Sequence, residues 1–393
     1  MRKISKVSIL VSDFASAGLL RAYLLGKALK SLGYEVQLVG FLFGKSFYRE
    51  IPTADFSIFY LPGDTYPQIF RKVPQLLRHI EGDIIYAIKP LASSFGIALL
   101  KKINSHIPVI LDIDDWEMSW HGGDNWRYQP TAKELVRDIF KKHGALRYPN
   151  HPLYLKWMEK LLPQADAITV HTSFLQQRFG GVSVPNGKDT DLFDPSKYDA
   201  EASRQRYGLS AYRILMFPGA PRPYKGLEDI LAAIATINQP DLKLVIVGGS
   251  PYDDYDQQLQ AKWGNWLIKL PKYPAHEMPE IVAAAHIIVV PQRDTKETRA
   301  QFPLKLTDGM AMAKPILTTQ VGDIPDILGD TGYLVESGSS TQMAEKIQWI
   351  FANLESAQKQ GEKARIRCIE KYSIQAMAHN LQSVIHQVSA APR

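Results

Sequence analysis

Two cations stand in a loop that joins a strand to a helix in the rear half of the sequence. The apolar run Arg213–Phe217 predicts the strand, and residues 226–237 predict the helix. Arg222 and Lys225 lie between them. The start of a helix carries partial positive charge and free amides, so a cation there is unfavourable unless an anion compensates it. We therefore favour a phosphate site at 219–226 over a solvated surface loop.

A second cation lies at a predicted helix start further along the chain. Pro303 suits the first turn of a helix, which would point the amides of Leu304 and Lys305 outward at an anion. Asp308 follows Lys305 at a spacing of three, on the same helical face. One interpretation is an ordinary helical ion pair. The other is a diphosphate held by the amides and Lys305, with a ribose hydroxyl held by Asp308.

Carboxylates cluster in the front half, where Asp112, Asp114, Asp115 and Glu117 end a strand and begin a loop. Close carboxylates repel one another unless a cation or a proton-transfer task compensates them. We favour Asp115 or Asp114 as the residue that positions a substrate hydroxyl. A metal-binding Asp-x-Asp pair, with its oxygen ligands, is the rival interpretation. A capping cluster with no functional role is the third.

The elements that must position these residues form two series of alternating strands and helices. The predicted strands are 6–11, 35–41, 55–60, 83–88, 109–113 and 167–171 in the front half, and 213–217, 242–247, 287–290 and 315–318 in the rear half. Such alternation predicts two parallel, doubly wound α/β sheets, joined near 185–210. Ligands of these sheets bind beyond the carboxyl ends of the strands, and the three clusters lie there.

Composition excludes several classes of protein. The chain has 393 residues, of which 45% are hydrophobic and 22% charged, so it is neither a disordered chain nor a single small domain. Its single cysteine, Cys368, excludes a disulfide framework and a thiolate metal site. No apolar run approaches the ~20 residues of a membrane span, and no signal peptide is recognisable, so we expect a cytoplasmic protein.

Glycine-rich phosphate-binding motifs are missing from the sequence. The loop at 12–18 lacks the fingerprint of dinucleotide binders, and no P-loop occurs, which argues against a dehydrogenase or a P-loop enzyme. Gly18 alone can let a ligand approach the backbone closely.

Positive charge is concentrated in the front half. Residues 1–190 contain 24 Lys and Arg against 17 Asp and Glu, which accounts for the whole net charge of +6. The segments 70–78 and 135–143 mix basic with apolar residues at helical spacing. They are either helices that pack one face and solvate the other, or contacts for an anionic membrane surface. We expect no nucleic-acid partner.

The rear half resembles the retaining glycosyltransferases of family 4, which use nucleotide sugars and have the two-Rossmann B-type fold. The resemblance covers roughly 184–385 and rests on segments in the family's order. These are Val184-Pro-Asn-Gly187 with Asp191, the loop at 219–226, Gly248-Gly249, the stretch 278–291, Lys305 to Pro315, and the closing segments at 321–325 and 332–335. The front half is similar only in general architecture.

The resemblance implies two Rossmann-like domains that face each other across a cleft. The N-terminal domain, 1–190, would bind the acceptor and the C-terminal domain, 191–372, the donor, while a C-terminal helix over 373–393 can cross back to the N-terminal domain. It also implies roles for individual residues. Donor contacts are expected from Gly18, Gly219, Arg222, Lys225, Lys272, Tyr273, Glu297, Phe302, Leu304, Lys305 and Asp308, acceptor contacts from Asp115, Trp116 and His121, and catalytic roles from Asp115, Asp114 and Lys225.

The chain departs from the family pattern at the donor site. The family commonly has two glutamates eight positions apart, and here they are replaced by Ala300 and the shorter Asp308. Glu297 is a candidate to supply the missing carboxylate. The arginine that often follows the loop glycine is replaced by Ala220, for which Arg222 can substitute.

We therefore expect a retaining hexosyltransferase that moves a sugar from a UDP- or GDP-type donor to a hydroxyl acceptor in a glycan, a lipid or a small molecule. Fixed cations and helix-end amides would stabilise the leaving diphosphate, so no metal and no cofactor is expected. The alternatives are a nucleotide-sugar epimerase on the same fold and a non-catalytic nucleotide-sugar-binding protein. The cytoplasmic face of a membrane is one expected location.

Overall fold

Two separate parallel sheets organise the computed structural model, which describes residues 4–48, 55–250 and 253–390. By packing, the chain divides into two units. Unit 1 comprises Met1–Gly187 together with Met377–Arg393, and unit 2 comprises Lys188–Ala376. The predicted fold class, two doubly wound α/β domains, is confirmed.

Unit 1 contains a seven-stranded sheet. Its strands are β1 (Lys6–Val11), β2 (Glu35–Leu42), β3 (Ser57–Pro62), β4 (Ile84–Ile88), β5 (Val109–Ile113), β6 (Ala167–Val170) and β7 (Val182–Ser183). They are parallel and lie in the order β3-β2-β1-β4-β5-β6-β7. This order reverses direction between β1 and β4, and the carboxyl ends of strands at such a point are where doubly wound sheets bind ligands.

Unit 2 repeats the arrangement with six strands. They are β8 (Arg213–Phe217), β9 (Leu242–Val247), β10 (Leu267–Leu270), β11 (Ile287–Val290), β12 (Ile316–Thr319) and β13 (Tyr333–Val335). They are parallel, in the order β10-β9-β8-β11-β12-β13. The corresponding reversal lies between β8 and β11.

Helices cover both sheets. In unit 1 they are α1 (Gly18–Ser31), α2 (Val73–Arg78), α3 (Ile97–Ser105), α4 (Ala132–Phe140), α5 (Pro152–Lys160) and α6 (Ser173–Phe179). In unit 2 they are α7 (Ala200–Arg206), α8 (Leu227–Ile237), α9 (Tyr255–Trp263), α10 (Met278–Ala283), α11 (Lys296–Arg299), α12 (Leu304–Ala311), α13 (Ile324–Leu328), α14 (Ser340–Ala352) and α15 (Leu354–Tyr372). The last helix, α16 (Ile374–Ala390), begins in unit 2 and lies mostly in unit 1. Over the described ranges, no helix has the length and apolar character needed to cross a bilayer.

The sheet of unit 2 is buried on both faces, which explains why its strands read as continuous apolar runs. Along β8, Ile214 and Met216 join the core under α12, whereas Leu215 and Phe217 join the core under α8 and α14. Side chains that alternate between two cores leave no face for solvent. The chemistry is therefore confined to the loops beyond the strand ends.

Candidate functional site

The loop between β8 and α8 carries the first two predicted cations. Residues Pro223–Lys225 form one turn of 3-10 helix, and α8 begins directly after Gly226. Gly226 has a φ of 69°, and a Cβ there would lie 1.8 Å from the carbonyl oxygen of Pro291. Only glycine allows this approach, which brings the loop against the end of β11.

Lys225 is directed at the segment that precedes α12. Its side chain is buried, and Nζ donates a 2.6 Å hydrogen bond to Oε1 of Gln301. Nζ also lies 4.9 Å from the ring centroid of Tyr224. Lys225 thus places a positive charge beside the segment that leads into α12.

Arg222 extends from the same loop towards the loop after β9. One guanidinium nitrogen, Nη1, donates to Oδ2 of Asp253 at 2.8 Å and to Oγ of Ser250 at 3.1 Å. Arg222 and Lys225 therefore connect the loop after β8 to two different neighbouring segments at the same edge of the sheet.

Lys305 lies in the first turn of α12, as predicted, although the helix begins at Leu304, one residue after Pro303. Its Nζ is 4.6 Å from the ring centroid of Phe217, the last residue of β8. A Cβ built on Gly219 would lie 3.5 Å from its Cε and 3.8 Å from its Nζ. The structure thus brings together Gly219 and Lys305, which are far apart in sequence.

Asp308, one turn along α12, forms an ion pair with Lys188. Both side chains are largely buried, and Nζ of Lys188 lies 4.1 Å from the ring centroid of Phe193. The partner of Asp308 in this ion pair is therefore 120 positions away in the sequence. Sequence reasoning missed Lys188, since no local spacing links it to Asp308.

The segment that departs from the family pattern lies between β11 and α12. Ala300 is completely buried, so its methyl group packs in the interior. Glu297 is half-buried in the first turn of the four-residue helix α11. The proposal that Glu297 supplies the missing carboxylate stays a prediction.

The other predicted donor residues differ in exposure. Phe302 is buried, with its ring centroid 5.9 Å from that of Tyr372, and Leu304 begins α12. Lys272 is exposed and Tyr273 is half-buried in the segment after β10. Phe302 therefore stabilises the helix start, whereas Lys272 is accessible to a ligand.

In unit 1 the carboxylates after β5 enclose a lysine that the sequence did not single out. Lys89 follows β4 with a φ of 69°, a conformation that non-glycine residues rarely adopt. Its Nζ contacts Glu117 and lies 3.6 Å from Oδ1 of Asp114. A Cβ built on Gly18 would lie 3.5 Å from Cε of Lys89, so the loop after β1 packs against this cluster. The predicted repulsion between carboxylates is thus compensated by an internal cation.

Several buried polar atoms at this edge lack a hydrogen-bond partner among the residues that the structure describes. They are Oγ of Ser12 after β1, Oγ of Ser93 after β4, and Oδ1 of Asp115 after β5. The three strands are neighbours in the sheet. Because buried polar groups are nearly always paired, unpaired ones at the ends of adjacent strands indicate a polar ligand.

Asp115 has a carboxyl group with a raised pKa. Its Oδ2 accepts a 3.0 Å hydrogen bond from Nε1 of Trp120. Burial raises the pKa of Asp115 to about 7, with Glu117 and Asp114 adding to the rise and Lys89 opposing it. Burial disfavours the charge of Lys89, but Asp114, Glu117 and Asp115 together raise its pKa. Asp115 can therefore exchange a proton near neutral pH while Lys89 stays charged.

Asp112 has a separate, structural role. Arg21 of α1 donates to both of its carboxylate oxygens, at 2.8 and 2.9 Å, and Thr169 donates to Oδ1 at 2.7 Å. Arg21 also donates to the carbonyl of Val184 and to Oδ1 of Asn186. This buried network ties Val184 and Asn186 to the core of unit 1. Both carboxylate oxygens of Asp112 are already hydrogen-bonded within the protein.

The predicted acceptor residues lie in different environments. Trp116 is 1% exposed, and the Arg178 guanidinium lies 3.9 Å from the centroid of its ring, so it packs in the interior. His121 is exposed. Trp120, which was not assigned to the site, is 43% exposed and bonded to Asp115. Of these two tryptophan rings, the one accessible beside the carboxylates is therefore that of Trp120 rather than that of Trp116.

Within residues 4–48, 55–250 and 253–390, no three His, Cys, Asp or Glu side chains are grouped so as to hold a metal ion. The two units instead present different chemistry at equivalent sheet edges. The strand ends of unit 2 carry the cations Arg222, Lys225 and Lys305. The strand ends of unit 1 carry buried hydroxyls and an ionisable carboxyl.

Two family models match the chain. Residues 21–192 match the model described as Glycosyltransferase Family 4, and residues 212–353 match the model described as Glycosyl transferases group 1. Together the two matches span most of both units.

Curated relatives are similar at low identity. N-acetyl-alpha-D-glucosaminyl L-malate synthase of Bacillus anthracis is 23% identical over 380 residues, which cover 93% of this chain and 92% of that protein. Alpha-maltose-1-phosphate synthase of Mycolicibacterium smegmatis is 28% identical over 228 residues, covering 53% of this chain and 57% of that protein. The chain thus spans little more than half the length of the second relative.

Solved structures share the fold over nearly the whole chain. A glycosyltransferase from Rickettsia africae has a TM-score of 0.75 at 17% identity, with full coverage of both chains. HepE of Anabaena, in complex with UDP-glucose, has a TM-score of 0.72 at 15% identity, covering 97% of this chain and 99% of that one.

Proposed function

Because this chain belongs to glycosyltransferase family 4, we propose that it transfers a hexosyl group from a nucleotide-diphosphate sugar to a hydroxyl acceptor, with retention of configuration at the anomeric carbon. Unit 2 binds the donor and unit 1 binds the acceptor. The donor is of UDP or GDP type. In support, HepE of Anabaena, which has this fold, was crystallised with UDP-glucose.

The observation that carries this proposal is the group of cations at the strand ends of unit 2. Lys225 is hydrogen-bonded to the neutral amide of Gln301, and Lys305 lies over the neutral ring of Phe217. Both side chains place positive charge at the strand ends of unit 2, so a diphosphate there gains electrostatic attraction from both ammonium groups. Arg222 adds a third cation, although it is shared with Asp253.

The cations act where charge develops. The bond between the anomeric carbon and the diphosphate oxygen breaks with its electron pair on the diphosphate, and the acceptor oxygen bonds to the same face of that carbon. Lys225 and Lys305 stabilise the growing negative charge on the diphosphate, which lowers the barrier without a metal ion. Asp308, held by Lys188, receives the ribose hydroxyls.

Asp115 serves the acceptor in unit 1. Its ionised carboxylate orients the acceptor hydroxyl through Oδ1 and takes up the proton that the hydroxyl releases. Trp120 fixes the other carboxylate oxygen, and Asp114 holds Lys89 beside it. The hydroxyls of Ser12 and Ser93 bind further hydroxyl groups of the acceptor. An anionic membrane surface as partner of the basic N-terminal half remains a prediction.

The proposal is tested by transfer assays with Lys225→Met and Lys305→Met, which remove the charge and keep the length of the side chain. Each substitution should lower kcat/KM by about 10²–10³-fold, the range seen when one group that stabilises a developing anion is lost. Each should also reduce the rise in melting temperature that the nucleotide sugar causes in the unsubstituted protein. Lys363→Met, an exposed helical lysine of the same unit, is the matched control.

Near-normal rates for both variants would refute the donor site. Product stereochemistry, read by NMR, separates retention from inversion. Conversion of the nucleotide sugar without any acceptor would instead indicate an epimerase. Donor binding without turnover over a broad acceptor panel would indicate a binding protein.

A further inference from the structure

The segments 70–78 and 135–143, which both mix basic with apolar residues, lie 65 positions apart in sequence but are connected in unit 1 through Arg147. Arg147 links the residues just before Phe70 to those just after α4: its Nε donates to the carbonyl of Tyr66 at 2.7 Å, and its Nη2 donates to Oε1 of Gln68 at 2.9 Å. The ring centroid of Tyr66 lies 5.0 Å from that of Phe70. Nη1 of Arg147 lies 3.4 Å from the carbonyl oxygen of Lys141, just after α4. We call this region the α4 surface, defined by Phe70, Arg71, Lys133, Leu135, Val136, Arg137, Ile139, Phe140, Lys141, Lys142 and Tyr148.

Helix α4 exposes the apolar side chains that an amphipathic helix normally buries. Phe140 is 75% exposed, Val136 58% and Ile139 43%, whereas Asp138 is the one buried residue of the helix. Phe70, on the neighbouring segment, is 61% exposed. Contiguous exposed apolar residues on a well-formed helix mark an interaction surface.

The helix is held in place by polar contacts rather than by its apolar side chains. Thr131 and Glu134 form a capping box at its start. Asp138 accepts hydrogen bonds from the Tyr128 hydroxyl at 2.7 Å and from Arg137 at 3.0 Å. The apolar residues are thus not needed to fix the helix, and they remain available to a partner.

Charge identifies the partner. The exposed cations Lys133, Arg137, Lys141, Lys142 and Arg71 surround the apolar side chains. The acidic residues of the helix, Glu134 and Asp138, are engaged in the cap and the internal hydrogen bonds. Like charge opposes the pairing of this surface with a second copy of itself. Apolar side chains that enter the acyl boundary, ringed by lysine and arginine, fit an anionic bilayer.

We propose that the α4 surface docks on an anionic lipid membrane, with Phe140, Val136 and Phe70 inserted at the interface. This proposal does not depend on glycosyl transfer. It is tested by flotation of the full chain with phosphatidylcholine vesicles that contain about a third phosphatidylglycerol, without nucleotide sugar, at low and high salt. Binding is expected at low salt, and raised salt should weaken it because salt screens the surface charge.

Two double variants test separately the contributions of the basic and of the apolar residues of the α4 surface to membrane binding. Lys141→Glu with Lys142→Glu should weaken binding by more than about 25-fold, since each basic residue near the surface contributes about fivefold. Phe140→Ser with Val136→Ser should weaken it by about tenfold or more and should reduce the binding that survives at high salt. Ile103→Ser, which removes a 71% exposed apolar residue from α3 of the same unit, is the control and should bind as the unsubstituted chain does.

Because the substituted residues are exposed, the variants should keep the melting temperature of the unsubstituted chain, and transfer to a soluble acceptor should be unchanged. Equal binding by all variants, or no binding to anionic vesicles at any salt concentration, would overturn the proposal. So would a concentration-dependent dimer in sedimentation that Phe140→Ser abolishes, because the occupant would then be a second copy.

Discussion

The two units share one strand order but differ in the charged residues at their strand ends, which are mainly cations in unit 2 and mainly carboxylates in unit 1. At the strand ends of unit 2, Arg222 and Lys225 lie in one loop and Lys305 lies in the first turn of α12. At the strand ends of unit 1, Lys89 is enclosed by Asp114 and Glu117, with Asp115 close by. The shared fold sets where ligands bind, whereas the side chains set which ligand binds.

The clusters also differ in what their cations contact. In unit 2, Lys225 donates to the amide oxygen of Gln301, and Lys305 lies over the ring of Phe217. In unit 1, Lys89 contacts the carboxylates of Asp114 and Glu117, which neutralise its charge. The positive charge of the N-terminal half therefore does not mark its strand-end cluster. It lies in part on the exposed α4 surface, and the net charge of a domain is a guide to its outer surface rather than to its site.

Removal of the Asp115 carboxylate should have a large effect on transfer and none on donor binding, which separates the roles of the two clusters. Asp115→Asn keeps an oxygen to accept the hydrogen bond from Trp120 but cannot take a proton. We expect transfer to fall by about 10²-fold or more, within the range for loss of a general base. The rise in melting temperature caused by the nucleotide sugar should stay the same, since the proposed donor site lies in unit 2.

The pH profile gives this prediction a second readout. Burial raises the pKa of Asp115 to about 7, so the proportion of ionised carboxylate grows as the pH rises through 7. Transfer by the unsubstituted protein should rise in that window, and transfer by Asp115→Asn should be flat there. Asp124→Asn, which removes a 62% exposed carboxylate from the same unit, should keep both the rate and the profile. An unchanged profile in Asp115→Asn would remove Asp115 from the reaction.

The interior strands can be predicted from sequence more readily than the edge strands. Strands β1, β5, β8, β9 and β11 have the predicted bounds, because strands buried on both faces read as unbroken apolar runs. The three strands that prediction misses, β7, β10 and β13, lie at sheet edges and have two to four residues. A short edge strand has too few apolar residues to give a pattern.

The same contrast applies to the two sites. Arg222, Lys225 and Lys305 can be identified from sequence because each stands at a recognisable strand-to-helix junction. Lys89 and Lys188 cannot, because their partners Glu117 and Asp308 lie 28 and 120 positions away. Only the tertiary fold brings such pairs together.

Substitution of Gly226 tests whether the cation loop of unit 2 depends on backbone geometry. Gly226→Ala adds a Cβ that would meet the Pro291 carbonyl oxygen at 1.8 Å, at a φ of 69°. Gly248→Ala is a matched control, because its φ is 96° but no atom lies within 4 Å of the added Cβ. We expect Gly248→Ala to lower the free energy of unfolding by about 1 kcal/mol and Gly226→Ala by more than about 2 kcal/mol.

Urea unfolding followed by tryptophan fluorescence measures both free energies. Gly226→Ala should also weaken donor binding, because the residue before it is Lys225. Equal losses of stability in the two variants would mean that the loop adapts, and the cations of unit 2 would then be as loosely positioned as ordinary surface lysines.

The smallest expected effect is a difference in how pH changes the stability of the two units. Burial, aided by Arg204 and Lys314, lowers the pKa of His286 in unit 2 to about 4. Its Nδ1 accepts a hydrogen bond from the Ile214 amide, so the neutral ring is the folded form. The stability that His286 contributes is therefore complete above pH 6.5 and is lost as the pH falls towards 4. The pH dependence of stability that Asp115 contributes has the opposite sign. Between about pH 4 and 7, Asp115 keeps a proton in the folded state that it loses in the unfolded chain, so stability falls as the pH rises through this range.

Free energies of unfolding of His286→Asn and Asp115→Asn, each compared with that of the unsubstituted chain between pH 4 and pH 8, separate the two contributions. On acidification, the free energy of unfolding by which the unsubstituted chain exceeds His286→Asn should shrink by about 1–2 kcal/mol, because partial exposure reduces the full effect of the pKa difference. Any advantage over Asp115→Asn should shrink on alkalinisation instead. Parallel changes in both comparisons would contradict these two pKa shifts, since burial disfavours the charged form of each group, which is the protonated imidazole but the deprotonated carboxyl.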